Sequence, residues 1–200
     1  MSEKLICCIG DSLTEGDYGI YGKSCIANVK EKNYPYFLNK LTNCKVLNYG
    51  YCGYKSSNIV PLLENGQIDV STADIIIILL GTNGGQTPTG TSPDDLAYKQ
   101  IVETCMKQAK KPKIFLCTPP HATTDPSKSN YGYYPNTKNA YEFIMMYSKE
   151  CGLDVIDLFN DNHFNDDNED IMQPNDGLHF SELGYKTLAE VIYEHIKIYL

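Results

Sequence analysis

The 200-residue chain has no apolar run long enough to cross a membrane. Its N-terminal run, Leu5 to Ile9, covers only five residues, against about 20 for a transmembrane helix. The same run is too short for the apolar core of a signal peptide, so no targeting signal is visible and a cytoplasmic location is expected. Basic residues are scarce: 17 Lys and Arg against 25 Asp and Glu leave a net charge of −8 and a pI near 4.9. Nucleic acid and anionic membrane are therefore excluded as main partners, because both are bound through basic patches. A small neutral or cationic ligand remains compatible. No C-x-x-C pair occurs, which removes the usual frame of a structural zinc site. Internal repeats and low-complexity tracts are also missing. Hydrophobic residues at 42% and charged residues at 21% are those of a globular protein, and the length suits one domain spanning 1–200.

Eight cysteines (7, 8, 25, 44, 52, 105, 117 and 151) are present. A chain of this size needs no disulfide framework, and Cys7 and Cys8 are adjacent in an apolar strand. They are expected to be reduced thiols used as small hydrophobes.

Apolar runs alternate with helical stretches, the pattern of parallel strands joined by crossover helices. Five strands are expected: Leu5 to Ile9, Lys45 to Tyr49, Ile75 to Leu80, Ile114 to Cys117 and Val155 to Leu158. The third is apolar on both faces, as befits a central strand covered above and below. Ser92-Pro93 reads as an N-cap with proline at the first helical position, opening a helix to about residue 110 on the spacing of Tyr98, Ile101, Val102, Cys105, Met106 and Ala109. Leu188, Val191, Ile192, His195, Ile196 and Tyr199 form the stripe of a C-terminal helix, on which His195 is expected to be a packed core residue. Shorter helices are expected near 35–41, 57–64 and 137–150. Three long polar segments, Thr14 to Asn33, Thr82 to Thr91 and Pro119 to Pro135, all follow strands. They therefore leave the sheet at its carboxyl edge, where open α/β folds bind ligands.

Gly10-Asp11-Ser12-Leu13-Thr14-Glu15-Gly16 follows the first strand and would expose the serine hydroxyl at that edge, although Asp and Ser also serve as helix caps. Its glycine spacing fits neither the dinucleotide loop nor the P-loop. Near the other end, Asp176-Gly177-Leu178-His179 sets a carboxylate three residues before an imidazole, close enough for the acid to orient a neutral histidine base. A serine lacking a base and a base lacking a nucleophile explain one another. Acyl transfer also needs donors aimed at an oxyanion. Candidates are Gly50 and Gly53 after the second strand and Asn83, in Gly81-Thr82-Asn83-Gly84, after the third. The acidic stretch Asp161 to Asp170 lacks the glycine and glutamate of an EF-hand loop and reads as solvated. His121 leaves the fourth strand on the active edge, as a pocket residue or an ordinary loop residue.

Gly10-Asp11-Ser12-Leu13, the glycine after strand two, Gly81-x-Asn83 and Asp176-x-x-His179 occur in an order that resembles the GDSL, or SGNH, hydrolase family over nearly the whole chain. The resemblance implies a three-layer α/β/α sandwich, flavodoxin-like, around a mostly five-stranded parallel sheet. It further implies hydrolysis of esters or thioesters without metal or organic cofactor. On that resemblance Ser12 would be the nucleophile, His179 the base and later acid, and Asp176 its orienting partner. The oxyanion hole would comprise the Ser12 and Gly53 N–H groups and the Asn83 side chain. The family commonly has aspartate where this chain has Gly84, which puts the aim of Asn83 in question.

Tyr18, Tyr21, Tyr131, Tyr133 and Tyr134 in the long loops, among Asn, Thr and Gly, suit a sugar ring better than an acyl chain. The expected substrate is a small acyl ester, acetyl above all, of a carbohydrate. A lysophospholipase or acyl-thioesterase is the alternative within the class, and a non-catalytic carbohydrate-binding domain the alternative outside it.

Overall fold

A computed structural model describes residues 3–20 and 31–200. Five strands, β1 (Leu5–Gly10), β2 (Lys45–Gly50), β3 (Ile75–Leu79), β4 (Lys113–Cys117) and β5 (Asp154–Ile156), form one sheet in the order β2-β1-β3-β4-β5. Every pairing is parallel. From β1 the chain adds β2 on one side and then β3, β4 and β5 on the other. The order thus reverses between β1 and β3, and in open α/β sheets ligands bind outside the carboxyl ends of strands at such a point.

The helices are α1 (Ser12–Glu15), α2 (Tyr34–Thr42), α3 (Ser56–Glu64), α4 (Pro93–Met106), α5 (Tyr134–Cys151), α6 (Glu169–Met172) and α7 (Glu182–Ile196). α2 and α7 cover one face of the sheet, with Leu38, Leu188 and Ile192 packed on Ile6, Cys8, Ile75 and Ile77. α3, α4 and α5 cover the other, with Ile59, Ile101 and Ile144 against Cys7, Ile9, Ile76 and Ile78. The alternation along β1 and β3 sends successive side chains to opposite layers. All five residues of β3 are no more than 1% exposed, each worth about 1.5–3 kcal/mol in burial. That explains a run without polar residues.

Ser92 caps α4 by accepting from the Asp95 amide while Asp95 receives the Ser92 amide. The helix stops at Met106, short of residue 110, where Met106 is exposed. His195 departs from expectation: it is exposed, although Leu188, Ile192 and Ile196 are buried. The buried line runs through 185, 188, 192 and 196, so position 195 is turned about 100° from Ile196. There, in the last turn of α7, the imidazole stays in water.

Cys7, Cys8, Cys44, Cys105, Cys117 and Cys151 are free thiols, all but Cys151 buried. Burial pushes the Cys7 and Cys105 thiols up to about 12, so they stay protonated. Cys52 corrects the expectation of reduced cysteines, because it is disulfide-bonded. It sits half-buried in the loop after β2, not inside a strand. Cys25 and Tyr21 lie outside the described residues. Among the described residues, no helix is long and apolar enough to cross a membrane.

Candidate active site

Ser12 opens α1 directly after β1. Asp11 caps this helix by accepting the Leu13 amide at 3.0 Å. The Ser12 N–H belongs to the first turn, whose amides have no acceptor within the helix. Burial pushes the Asp11 carboxyl up to about 6, partly offset by the Leu13 hydrogen bond.

From the far end of the chain, the loop before α7 brings His179 to the same edge, with Nε2 at 2.9 Å from the Ser12 Oγ. Asp176 Oδ2 lies 2.7 Å from His179 Nδ1, while Oδ1 accepts the Leu178 and His179 amides at 3.0 and 2.8 Å. The three-residue spacing therefore folds into a tight turn wrapped around one carboxylate. A neutral ring carries its proton on Nδ1 toward Asp176, which leaves the Nε2 lone pair for the serine hydroxyl. Burial raises the Asp176 carboxyl, but the hydrogen bond and charge of His179 outweigh it, so the group lies below its ordinary value. Burial likewise lowers the His179 imidazole, yet Asp176, then Asp17 and Asp11, leave it above its ordinary value.

Three supporting residues were not singled out by the sequence patterns. Asn130 donates to Asp176 Oδ2 at 2.8 Å from 46 positions away. Glu15 accepts the Cys52 amide at 2.5 Å, and so ties the loop after β2 to α1. Asp17 is fully buried, with Oδ2 3.9 Å from His179 Nε2. Their only local signals are a position near a motif or in a long loop, which many inert residues share.

The two glycines after β2 separate cleanly. A Cβ at Gly50 would lie 2.0 Å from the Glu15 backbone nitrogen, so Gly50 is the site where α1 presses onto β2. Gly53, at φ +77°, faces open space where a Cβ would meet nothing within 4 Å. Its N–H has no acceptor among the described residues. Asn83 is held by donating from Nδ2 to the Tyr54 carbonyl at 2.9 Å. The next residue, Gly84, packs on the Asn136 side chain, which a Cβ would approach within 2.7 Å. The aim of Asn83 is thus fixed by a backbone carbonyl from the neighbouring loop, and among the described residues its second amide hydrogen has no acceptor.

Ser12, Gly53, Asn83, Asp176 and His179 all line one cleft of about 540 Å³, a size that suits a small organic ligand. Asp17, Asn130, Tyr133 and Asn175 join them in its walls. Of the described tyrosines expected at the site, only Tyr133 reaches the cleft. Tyr18 packs on Tyr185, Tyr131 is exposed, and Tyr134 packs on His121 at 5.0 Å between ring centres. His121 lies outside the cleft, between Tyr134 and Phe159 with Asp166 3.6 Å from Nδ1. The stretch 161–170 is partly helical, and its Glu169 and Asp170 pair with Lys128.

A carboxylate, an imidazole and a hydroxyl thus lie in one hydrogen-bonded row at the carboxyl edge of a parallel sheet, a geometry in which a proton can pass from the hydroxyl to the ring. The model of the GDSL-like lipase/acylhydrolase family matches residues 8–187, and the chain belongs to that family. Solved structures share the fold over nearly their whole length. An aryl esterase of M. smegmatis is 18% identical with a TM-score of 0.73, covering 98% of this chain and 100% of its own. The lipase/acylhydrolase of Enterococcus faecalis is 22% identical with a TM-score of 0.71, at 97% and 95% coverage. A carbohydrate acetylesterase of Sinorhizobium meliloti is 17% identical with a TM-score of 0.71, at 99% and 100%. No curated protein sequence matches. The expected α/β sandwich of the SGNH hydrolases is therefore the fold of this chain.

Proposed function

We propose that the chain is a serine esterase that removes a small acyl group, acetyl above all, from a carbohydrate. The observation that carries this reading is the unbroken row Asp176–His179–Ser12 ending in the cleft, at 2.7 and 2.9 Å. In the first half-reaction the Ser12 Oγ–H proton passes to His179 Nε2 as Oγ bonds to the ester carbon. The oxyanion is received by the N–H groups of Ser12 and Gly53 and by the Asn83 amide, a stabilisation for which each donor is typically worth about 10²–10³ in rate. His179 then gives its proton to the leaving alcohol as the C–O bond breaks. In the second half, water gives a proton to Nε2 and its oxygen attacks the acyl carbon, after which the proton returns to Ser12.

Support for the substrate class comes from the described lining residues of the cleft, which include Asn83, Ser129, Asn130, Tyr133 and Asn175 and, as aliphatic side chains, Ile20 and Leu178. Hydrogen-bonding groups beside an aromatic ring fit a sugar better than a long acyl chain. Asp17 and Asp176 without a lysine among the described lining residues favour a neutral substrate over an anionic one. Disulfides persist in oxidising compartments, so the pairing of Cys52 weighs against the cytoplasmic location expected from the cysteine pattern.

The test compares p-nitrophenyl acetate with palmitate, and an acetylated sugar with a lysophospholipid and an acyl-thioester, on wild type and Ser12→Ala. Acetate and acetylated sugar are expected to be cleaved, and Ser12→Ala to lose at least about 10³-fold in kcat. A preference for palmitate, the lysophospholipid or the thioester would shift the substrate class. Equal activity in Ser12→Ala would discredit the nucleophile, and a wild type that binds acetylated sugar but cleaves none of these esters would make it a binding domain.

A further inference from the structure

Asp17 stands outside the three residues that the sequence motifs bring together, yet it is fully buried beside the reacting nitrogen. Its Oδ1 accepts the Gly19 amide at 2.9 Å. Its Oδ2 has two close neighbours. One is the Cys52 sulfur at 3.5 Å, which is disulfide-bonded and so has no proton to donate. The other is His179 Nε2 at 3.9 Å. A buried carboxylate oxygen without a donor is costly, and among the described residues the group placed to offset that cost is the imidazole when it is charged.

We propose that Asp17 is a positioning residue acting through His179, a second carboxylate on the Nε2 side of the ring that holds the imidazolium formed during turnover. The inference rests on the serine-esterase reading. As the Oγ–H bond of Ser12 breaks and its proton reaches Nε2, the ring gains one positive charge. That charge is flanked by Asp176 at Nδ1 and by Asp17 beside Nε2. Among the described residues, Asp11 in the turn behind Ser12 also acts on the ring's charge, the Ser12 hydroxyl bonds Nε2, the Asn130 amide bonds Asp176 Oδ2, and Tyr133 lines the same cleft. From α7, the Tyr185 hydroxyl donates to the Asp17 carbonyl, which fixes the backbone of Asp17 and leaves its carboxylate to the ring. Asp17 thus favours the protonated ring at the moment when the proton must wait for the leaving alcohol.

At 3.9 Å a unit charge shifts the imidazole by roughly 0.7 of a pH unit under full aqueous screening, and by more in a cleft closed to water. The experiment is an NMR titration of the His179 ring, without substrate and under non-reducing conditions, in wild type, Asp17→Asn and Asp17→Ser. Both variants keep an oxygen for the Gly19 amide and lose the charge. The His179 midpoint is expected to fall by at least about 0.7 of a pH unit. The acidic limb of kcat/KM for p-nitrophenyl acetate should move down in parallel, because the base works only when neutral. A midpoint within about 0.2 of a pH unit of wild type in a folded variant overturns the proposal. So does failure of both variants to fold, which would make Asp17 structural only. Should the midpoint fall while wild type cleaves no ester, the esterase reading fails and the coupling of Asp17 to His179 stands.

Discussion

Asp176→Asn changes one oxygen to an NH₂ group at constant shape, and the surrounding donors dictate the outcome. Four hydrogen bonds converge on the native carboxylate: two amides on Oδ1, and Asn130 Nδ2 and His179 Nδ1 on Oδ2. An asparagine keeps one oxygen for the two amides but turns its NH₂ toward two other donors. The imidazole can relieve the conflict by moving its proton to Nε2 and accepting on Nδ1. It then points an N–H at Ser12 and ceases to be a base. The expected loss is about 10⁴ in kcat, the scale seen when the same change is made in other serine triads, with KM little altered. Stability should fall by about 2–4 kcal/mol, since a buried carboxylate loses charge-assisted bonds and the Asn130 amide loses its acceptor. The pH dependence of that difference follows from the two shifts. The depressed Asp176 contributes above its ordinary 3.8 and loses its contribution as pH falls through the lower native value. The elevated His179 contributes fully below 6.5 and loses its contribution as pH rises through the higher native value. The gap between wild type and variant is therefore widest between about pH 4 and 6.5 and narrows on the alkaline side. Urea denaturation inside that window and on its alkaline side, with kcat measured at alkaline pH, checks it. A folded variant retaining more than a tenth of wild-type kcat would refute the orienting role.

Two further outcomes distinguish neighbours that look alike in sequence. Gly50→Ala would force a Cβ to 2.0 Å from the Glu15 nitrogen and should destabilise the fold by about 3 kcal/mol or more. Gly53→Ala has open space but a φ of +77° and should cost only about 1–2 kcal/mol, with kcat lowered; a thermal melt and a rate for each variant decide this. His195→Ala, at an exposed position, should change stability by no more than about 0.5 kcal/mol and leave turnover intact, read by denaturation and an ester assay.

Much of the molecule was written locally. The strand cores, the cap at Ser92 and the unbroken apolar run of β3 follow from side-chain chemistry within a few residues. Asp176 and His179 were legible because three-residue spacing lets one turn satisfy the carboxylate with its own amides. Ser12 was legible because glycine, aspartate and serine after a strand suit an exposed hydroxyl. His195 was misread because a stripe pattern does not separate the centre of a buried face from its shoulder. Cys52 was misread because its pairing depends on a loop that apolar neighbours do not describe.

The order of residues along the chain thus determined which polar side chains follow the strands and at which edge of the sheet they would emerge. Tertiary structure alone decided what surrounds them. The approach of Ser12 to His179 spans 167 positions and the Asn130 bond to Asp176 spans 46. Those distances are closed by the reversal of strand order at β1 and by the crossovers that return each loop to the same edge. The burial of Asp17 beside the imidazole, the grip of Glu15 on the Cys52 amide and the choice between Gly50 and Gly53 depend on how α1 lies against β2. That packing results from summed contacts across the fold, and no short stretch of sequence contains it.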